Sequence, residues 1–191
     1  MKAATKTGAA RHQVRVIGGQ WRRSLLPVAD KPGLRPTPDR VRETLFNWLG
    51  QDLSGWRVLD AFAGSGALGF EAASRGAAEV LLVEQDAELV RSLNASRERL
   101  KADNLRVQRG DGLASLRGAT ARYELVLLDP PFGASLGETA LNAAVKAVVP
   151  GGWVYLEAGE ALPAAPPPGL QVYRSGRAGA VHFALFQADE A

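Results

Sequence analysis

Cysteine, histidine and long apolar segments are scarce or missing in this sequence. It contains no cysteine and only two histidines, His12 and His182, which lie far apart. Without cysteine there is no disulfide, thiolate nucleophile or cysteine-ligated metal, and two separated histidines give no sign of a metal site or a catalytic triad. The apolar runs fall short of the roughly 18 residues of a membrane span. The polar start, MKAATKTGAARHQ, lacks the hydrophobic segment of a secretory signal. We therefore expect a cytoplasmic protein without a metal.

Positive charge is distributed unevenly along the chain. The 191 residues, 46% hydrophobic and 23% charged, are enough to bury the core of one domain. Residues 1–50 carry ten Lys and Arg against three Asp and Glu, whereas the rest of the chain carries thirteen against seventeen. A basic front end on a mildly acidic body suggests contact with a polyanion such as nucleic acid. A cationic tail that only aids solubility is the alternative.

The first fifty residues divide into a tail, a hairpin and a helix. Residues 1–13 are small and polar and predict a disordered basic tail. Residues 14–28 alternate like a β-hairpin, with a tight turn at Gly18-Gly19. A helix follows, for which Thr37 is a suitable N-cap.

Strands and helices alternate from Trp56 onward. Such apolar strands with amphipathic helices between them predict a parallel sheet covered on both faces. Two late strands follow the prolines at 166–168 and share a short glycine-containing link, so an antiparallel strand is expected at one edge. The predicted fold is α/β and Rossmann-like, with a mostly parallel seven-stranded sheet. We expect residues 14–50 to form an N-terminal extension, and residues 51–191 the main domain, packed into one globular unit.

A glycine-rich segment, LDAFAGSGALGFEA, runs on from the first of these strands. Gly64, Gly66 and Gly69 match the pattern GxGxxG, which is typical of dinucleotide folds and is weak evidence alone. Asp60 stands at the mouth of this loop, where a carboxylate would repel a pyrophosphate and suits a cationic ligand. The segment therefore favours a nucleotide-like ligand that carries positive charge.

Carboxylates end three successive strands, at Asp60, Glu84 and Asp111. The carboxyl ends of parallel strands meet at one crevice, where open α/β sheets bind ligands. Glu84 can accept hydrogen bonds from both ribose hydroxyls, and Asp111 can accept one from an adenine amino group. Each carboxylate alone could be a helix cap or a loop residue, but together they favour a nucleoside with a positively charged tail. S-adenosylmethionine is such a ligand.

The fourth strand ends in LLDPPF at the same crevice. An exocyclic nucleobase amine is a poor nucleophile, because its lone pair is delocalised into the ring. Its methylation is favoured by two fixed acceptors, here the carboxylate of Asp129 and the carbonyl of Pro130. Pro130 and Pro131 restrict the backbone, and Phe132 can stack on an extruded base. A stiff turn after a core strand is the alternative interpretation.

Four segments together resemble a known family. LDAFAGSGALGFEA and LLDPPF resemble the motifs of class I amino-methyltransferases. RVIGGQWRRSLLPV and GLRPTPDRVRETLFNWL resemble the RsmD family, the bacterial 16S ribosomal RNA guanine-N2 methyltransferases, and the similarity runs from about Gln13 to Gln187. The resemblance implies a class I methyltransferase fold and S-adenosyl-L-methionine-dependent methylation of a guanine N2, at guanine 966 of 16S ribosomal RNA. The implied partner is that RNA within the small ribosomal subunit or an assembly intermediate.

The resemblance also implies roles for individual residues. The catalytic residues would be Asp129, Pro130, Pro131 and Phe132. The cofactor would be bound by Asp60, Phe62, Gly64, Ser65, Gly66, Glu84, Gln85, Asp111, Gly112, Thr37 and Arg40. RNA would be bound by Arg15, Trp21, Arg22, Arg23 and Arg35. We expect a monomer, because no apolar helix face is left over.

Three other functions stay open on the sequence alone. One is a DPPF-type methyltransferase acting on DNA adenine or another RNA, although DNA enzymes usually carry a target-recognition domain for which 191 residues leave little room. Another is a non-catalytic RNA-binding relic, which would be expected to lack Asp60, Glu84 or Asp129; all three are present. The last is an NAD-dependent dehydrogenase, which differs from the others in the cofactor that would protect it against heat.

Overall fold

The computed structural model describes residues 12–131 and 134–191. The helices in these ranges are α1 (Asp39–Trp48), α2 (Ala67–Ser74), α3 (Ala87–Leu100), α4 (Gly112–Arg117) and α5 (Ala134–Ala147). The strands are β1 (Gln13–Arg15), β2 (Leu25–Pro27), β3 (Arg57–Asp60), β4 (Glu79–Glu84), β5 (Leu105–Arg109), β6 (Tyr123–Leu128), β7 (Val148–Ala158), β8 (Leu170–Ala178) and β9 (Val181–Ala188). Most of the predicted disordered tail, residues 1–11, lies outside the described residues, and Gln13 already belongs to β1. None of the helices in the described ranges is long and apolar enough to cross a membrane.

Seven strands form one sheet in the order β5-β4-β3-β6-β7-β9-β8. Strands β3 to β7 pair in parallel, whereas β9 runs antiparallel to both β7 and β8. This arrangement confirms the predicted mostly parallel seven-stranded sheet with an antiparallel strand toward one edge. The strand order reverses between β3 and β6, and in open α/β sheets a ligand binds at the carboxyl ends of the strands at such a point.

Helices cover both faces of this sheet, as predicted. One core contains Phe46 of α1, Phe70 of α2 and Leu93 of α3, while a second core on the other face contains Leu116 of α4 and Leu141 of α5. The first core also includes apolar side chains of β1 and β2, so the N-terminal extension and the main sheet share it. The short helix α4 was not predicted, because its six residues are too few to show a helical period.

The N-terminal hairpin differs from its prediction in the turn. Strands β1 and β2 pair antiparallel as expected, but residues 16–24 connect them, so the tight turn predicted at Gly18-Gly19 is wrong. The Gly18 N–H donates to the Glu71 carboxylate at 2.8 Å, and the Gln20 N–H donates to the Ser74 carbonyl at 2.9 Å. These glycines therefore bring the backbone close to α2 instead of reversing the chain.

A buried ionic cluster joins the N-terminal extension to α2. The side chains of Arg42 and Glu71 are fully buried, with 3.2 Å between Arg42 Nη1 and Glu71 Oε2. Glu71 also accepts hydrogen bonds from the Ile17 and Gly18 N–H groups and from Arg75 Nε. Arg42 donates to two backbone carbonyls, at Arg15 and at Thr37. The cluster thus satisfies its charges with one another, with the Asp39 carboxylate, which also pairs with Arg42, and with the backbone of two segments, residues 15–18 and Thr37.

The outermost strand of the sheet, β8, is irregular. Its register with β9 shifts between Val172 and Arg174, which marks a bulge. Tyr173 packs edge-on against Trp153 of β7, with 4.9 Å between the ring centroids. Val172 and Tyr173 are exposed, as is Arg174 beside them.

Candidate active site

A cleft of about 800 Å³ opens at the carboxyl ends of β3, β4, β6 and β7. The glycine-rich segment after β3 forms one wall, and residues 31–37 before α1 form another. The cleft brings together the majority of the predicted site residues. Those lining it are Arg35, Thr37, Asp60, Phe62, Gly64, Ser65, Glu84, Gln85, Gly112, Asp129, Pro130 and Pro131.

Asp60 holds the glycine loop and leaves one oxygen free. Its Oδ2 accepts from the Gly69 N–H at 3.0 Å, whereas the buried Oδ1 has no hydrogen-bond partner among the described residues. Burial raises the pKa of Asp60 to about 7, with further increases from the charges of Glu84 and Glu157. A buried acceptor without a donor is costly and rare in a finished site, so Asp60 fits a ligand that brings positive charge or N–H groups.

Glu84 is fixed by backbone donors on both oxygens. Oε2 accepts from the Gly64 N–H at 2.9 Å, and Oε1 accepts from the Asp86 N–H at 3.1 Å. Each carboxylate oxygen can accept a second hydrogen bond, and Glu84 is half-buried at the wall of the cleft. Glu84 is therefore oriented to accept from two neighbouring hydroxyls. Gly66, which is buried, begins α2 with φ +83°, a conformation that favours glycine.

The third predicted carboxylate, Asp111, lies at the rim and not on the wall. It caps α4 by accepting from the Leu113 N–H at 3.1 Å, and its side chain is exposed. The wall at this point is made by Gly112 instead. A Cβ atom there would lie 2.1 Å from the Ala61 carbonyl oxygen, so only glycine permits this approach of α4 to the loop after β3. Gly112 and Phe62 therefore line the same part of the cleft.

Asp129 ends β6 on the opposite side of the switch point from Asp60. Burial, followed by the charges of Glu157 and Asp60, raises its pKa well above the ordinary value. Pro130 and Pro131 follow it on the wall of the cleft. Phe132, the predicted stacking residue, lies outside the described residues.

Glu157 is a site residue that the sequence analysis missed. It lies near the end of β7, lines the cleft and is only 7% exposed. Its Oε2 accepts two hydrogen bonds of 2.8 Å, from the Thr37 hydroxyl and from the Tyr155 hydroxyl. The segment GWVYLEA carries a carboxylate near a strand end, as RVLD and EVLLVE do, and that signal was available.

Thr37 has a different role from the one predicted. Helix α1 begins at Asp39 with Pro38 in the N-cap position and has no capping side chain, so the prediction of Thr37 as N-cap is wrong. The Thr37 hydroxyl instead donates to Glu157 in the cleft, because a buried carboxylate is a strong acceptor. Thr37 therefore ties the segment before α1 to the end of β7.

Lys31 anchors the segment before α1 at its other end. Its Nζ lies 2.8 Å from Asp86 Oδ2 and 2.9 Å from Glu88 Oε2. Hydrogen bonding to these two carboxylates raises the pKa of Lys31, and hydrogen bonding to Lys31 lowers the pKa of Asp86. Leu34, in the same segment, lies over Gly64. No sequence pattern had drawn attention to Lys31.

Several predicted residues lie away from the cleft. Arg40 is exposed on α1 and does not line it, and Arg15 is exposed on β1. Trp21 is half-buried against the first core, and its backbone N–H donates to the hydroxyl of Ser74 at the carboxyl end of α2. Arg22 and Arg23 are exposed in the same connection and do not line the cleft. Arg22 borders a separate concavity of about 900 Å³.

The family to which the chain belongs is decided by comparison with known proteins. The family model described as "Conserved hypothetical protein 95" matches residues 14–187. Ribosomal RNA small subunit methyltransferase D of Escherichia coli is 41% identical over 197 aligned positions, covering 99% of this chain and 96% of that protein. The protein of the same name from Haemophilus influenzae is 36% identical, covering 95% and 97%.

The chain belongs to the RsmD family. The fold agrees, since the solved structure of the protein yhhF of Escherichia coli superposes with a TM-score of 0.83 at 41% identity, covering 94% of this chain and 100% of that one. As a member of the RsmD family, the protein is an S-adenosyl-L-methionine-dependent methyltransferase. The cleft fits this cofactor, because Asp60, Glu84, Asp129 and Glu157 line it and the buried Oδ1 of Asp60 has no hydrogen-bond partner in the described structure, features that suit a cationic nucleoside.

Proposed function

We propose that the protein methylates the exocyclic N2 amine of a guanine in 16S ribosomal RNA, at guanine 966, within the small ribosomal subunit or an assembly intermediate. The observation that carries the proposal is the position of Asp129-Pro130 at the end of β6, in the same cleft as the glycine loop and Glu84. The names of the two relatives support ribosomal RNA as the substrate class. We further propose that it acts as a monomer in the cytoplasm.

The chain's residues divide the work of this reaction between holding and accepting. Bound S-adenosylmethionine supplies a methyl group already activated by positive sulfur. Glu84 accepts hydrogen bonds from the ribose hydroxyls of the cofactor. Gly112 and Phe62 line the part of the cleft for the adenine, and Asp60 faces the positively charged end of the cofactor. The Asp129 carboxylate and the Pro130 carbonyl accept from the two hydrogens of the guanine amine and so favour a tetrahedral nitrogen. Positioning by these groups replaces any need for a covalent nucleophile.

The proposal is tested by mass spectrometry of 16S ribosomal RNA from cells that lack this protein. We expect one N2-methylguanine to disappear, and to return when the wild-type chain is expressed but not when an Asp129→Ala chain is. Loss of a methyl group from a different base or another RNA would reassign the substrate. An unchanged pattern of methylation in the ribosomal RNA of both subunits would contradict the proposal.

We expect Glu84→Ala to weaken S-adenosylmethionine binding by about 2 kcal/mol, or about 30-fold, because two charge-assisted hydrogen bonds to the ribose are lost. Part of this loss comes through Gly64, whose N–H is bound by Glu84. Isothermal titration calorimetry measures the change. Glu98→Ala, an exposed position on α3 that does not line the cleft, is the matched control and should bind normally. Unchanged affinity in a folded Glu84→Ala protein would remove Glu84 from the site.

Binding to small-subunit particles should weaken steeply with salt, because Lys and Arg of the first fifty residues would displace counterions from phosphates. Arg22→Ala with Arg23→Ala should make the slope of log K against log salt shallower by about one for each phosphate contact removed. Arg122→Ala is the control, since Arg122 is exposed just before β6, at the end of the sheet away from the cleft. Filter binding at several salt concentrations gives the slopes. Equal slopes for all three proteins would place RNA contact elsewhere.

A further inference from the structure

The cleft collects acidic side chains from four neighbouring strands. Asp60 comes from β3, Glu84 from β4 and Glu157 from β7, and Asp129 follows β6. Within the described part of the chain, none of these four forms an ion pair. Arg42 is the cation whose charge reaches Glu157, and it is already bound to Glu71. Lys31 and Arg35 also line the cleft, but Lys31 is paired with Asp86 and Glu88, and in the described structure Arg35 forms no ion pair with any of the four carboxylates, so none of them is neutralised by direct pairing.

Hydrogen-bond donors are also too few for the carboxylates that surround them. Thr37 lies next to both Asp129 and Glu157, but its hydroxyl has one hydrogen, which it donates to Glu157 Oε2. The Tyr155 hydroxyl donates to that same oxygen. Glu157 Oε1 accepts no hydrogen bond from any described residue, and neither does the carboxylate of Asp129 within the distance of a hydrogen bond. Both hydroxyls donate to buried Glu157 and none to half-buried Asp129, so the two carboxylates cannot both be ionised at low cost.

We propose that Glu157 is the functional partner of Asp129: in the free protein the two carboxylates share one proton, and they release it to solvent when S-adenosylmethionine binds. The inference rests on the proposed function of the cleft. The positive sulfur of the methyl donor compensates the second negative charge, so the pair ionises fully. Asp129 then carries a complete charge toward the guanine amine only when the methyl donor is present.

The same pair distinguishes the methyl donor from its product. S-adenosylhomocysteine has a neutral sulfur, so it gives the carboxylates no reason to lose their proton. Glu157 would thus favour binding of the donor and release of the product at neutral pH. Below the pKa of the pair, donor binding must pay for deprotonation, and the preference for donor over product should fall by up to tenfold per pH unit. Asp60, Glu84, Arg42 and Tyr155 are the other titratable or charged groups around the pair, and Lys31 and Arg35 are the further cations that line the cleft.

The experiment is isothermal titration calorimetry of the full chain with each ligand, at pH about 6.5, in two buffers of different ionisation enthalpy. At this pH the α-amine of both ligands is protonated. We expect the wild-type protein to release about one more proton with S-adenosylmethionine than with S-adenosylhomocysteine. We also expect the affinity ratio of the two ligands to rise with pH in the wild-type protein.

Glu157→Gln should abolish both effects, because a single remaining carboxylate, Asp129, ionises without a competitor. The amide oxygen can still accept from Thr37 and Tyr155, since both bind one oxygen of Glu157, and binding of S-adenosylhomocysteine reports that the variant is folded. Tyr155→Phe is the control: it removes a donor and keeps both carboxylates, so the extra proton should still be released.

The outcomes separate this inference from the function beneath it. Equal proton release with the two ligands in the wild-type protein, or a ratio that does not change with pH, overturns the shared proton even if methylation is intact. Extra proton release that persists in Glu157→Gln assigns the proton to Asp60 and also overturns it. Failure of the wild-type protein to bind either ligand would instead contradict the proposed function.

Discussion

Replacing Asp129 with alanine should lower the single-turnover rate of methyl transfer by about two to three orders of magnitude, the scale of one lost preorganised partner. The charge on the guanine nitrogen grows only as the transition state is approached. An acceptor aimed at that nitrogen therefore acts on the rate more than on binding. Affinity for S-adenosylmethionine should change by only a few-fold. The measurement is single-turnover transfer at saturating particle and cofactor, with cofactor binding measured separately.

Asp129→Asn serves as the matched variant for charge. Its amide N–H groups would turn toward the Glu157 carboxylate, which leaves the amide oxygen facing the cleft. This variant keeps one acceptor and loses the negative charge, so its rate should fall between those of the wild-type and alanine proteins. If Asp129→Ala keeps more than about a tenth of the wild-type rate, the segment LLDPPF is only a stiff turn after β6.

Replacing Glu71 with alanine should lower the free energy of unfolding by about 3–5 kcal/mol, because the buried Arg42 would lose its buried carboxylate partner and keep only Asp39, whose side chain is largely exposed. The Ile17 and Gly18 N–H groups lose their acceptor as well. A loss of this size is a large part of the 5–15 kcal/mol that holds an ordinary domain together. Equilibrium urea unfolding, followed by tryptophan fluorescence, measures it.

Glu88→Ala is the appropriate comparison for the loss of stability. Glu88 is mostly exposed in its ion pair with Lys31, so this substitution should cost less than about 1 kcal/mol. Glu71→Gln keeps the acceptor oxygen for the backbone and should fall between the two. A loss below about 1 kcal/mol in Glu71→Ala would mean that water or a rearranged hairpin replaces the carboxylate.

The fold and half of the cleft follow from the sequence because the signals there are local. Strand length, apolar alternation and the glycine segment are each legible within fifteen residues. A carboxylate directly after a parallel strand must lie at the shared crevice, whichever strands are neighbours. This reasoning placed Asp60, Glu84 and Asp129 together, and in the structure all three line the same cleft.

The remaining features depend on contacts between distant segments, which no local pattern reports. Thr37 has the composition and position of an N-cap, yet its partner is 120 residues away on β7. Gly18 looks like a turn residue in the sequence. What requires glycine there is the close approach of its backbone to Glu71 on α2, which is 53 residues away in sequence. Arg42 lies on the core face of α1, where a charged side chain is rarely buried unless it is paired. Its buried partner, Glu71, is 29 residues away in sequence.

The two outer strands of the sheet determine how this molecule behaves beside copies of itself. An outer strand offers unpaired N–H and C=O groups on which a strand of another chain could add. On β8 the bulge between Val172 and Arg174 interrupts that row, and the exposed Arg174 lies next to the exposed Tyr173. On β5, only five residues long, Arg106 and Arg109 are exposed in the same way. Both ends of the sheet thus carry exposed arginines, and β8 is also interrupted by a bulge, features that disfavour edge-to-edge pairing with another copy of the chain.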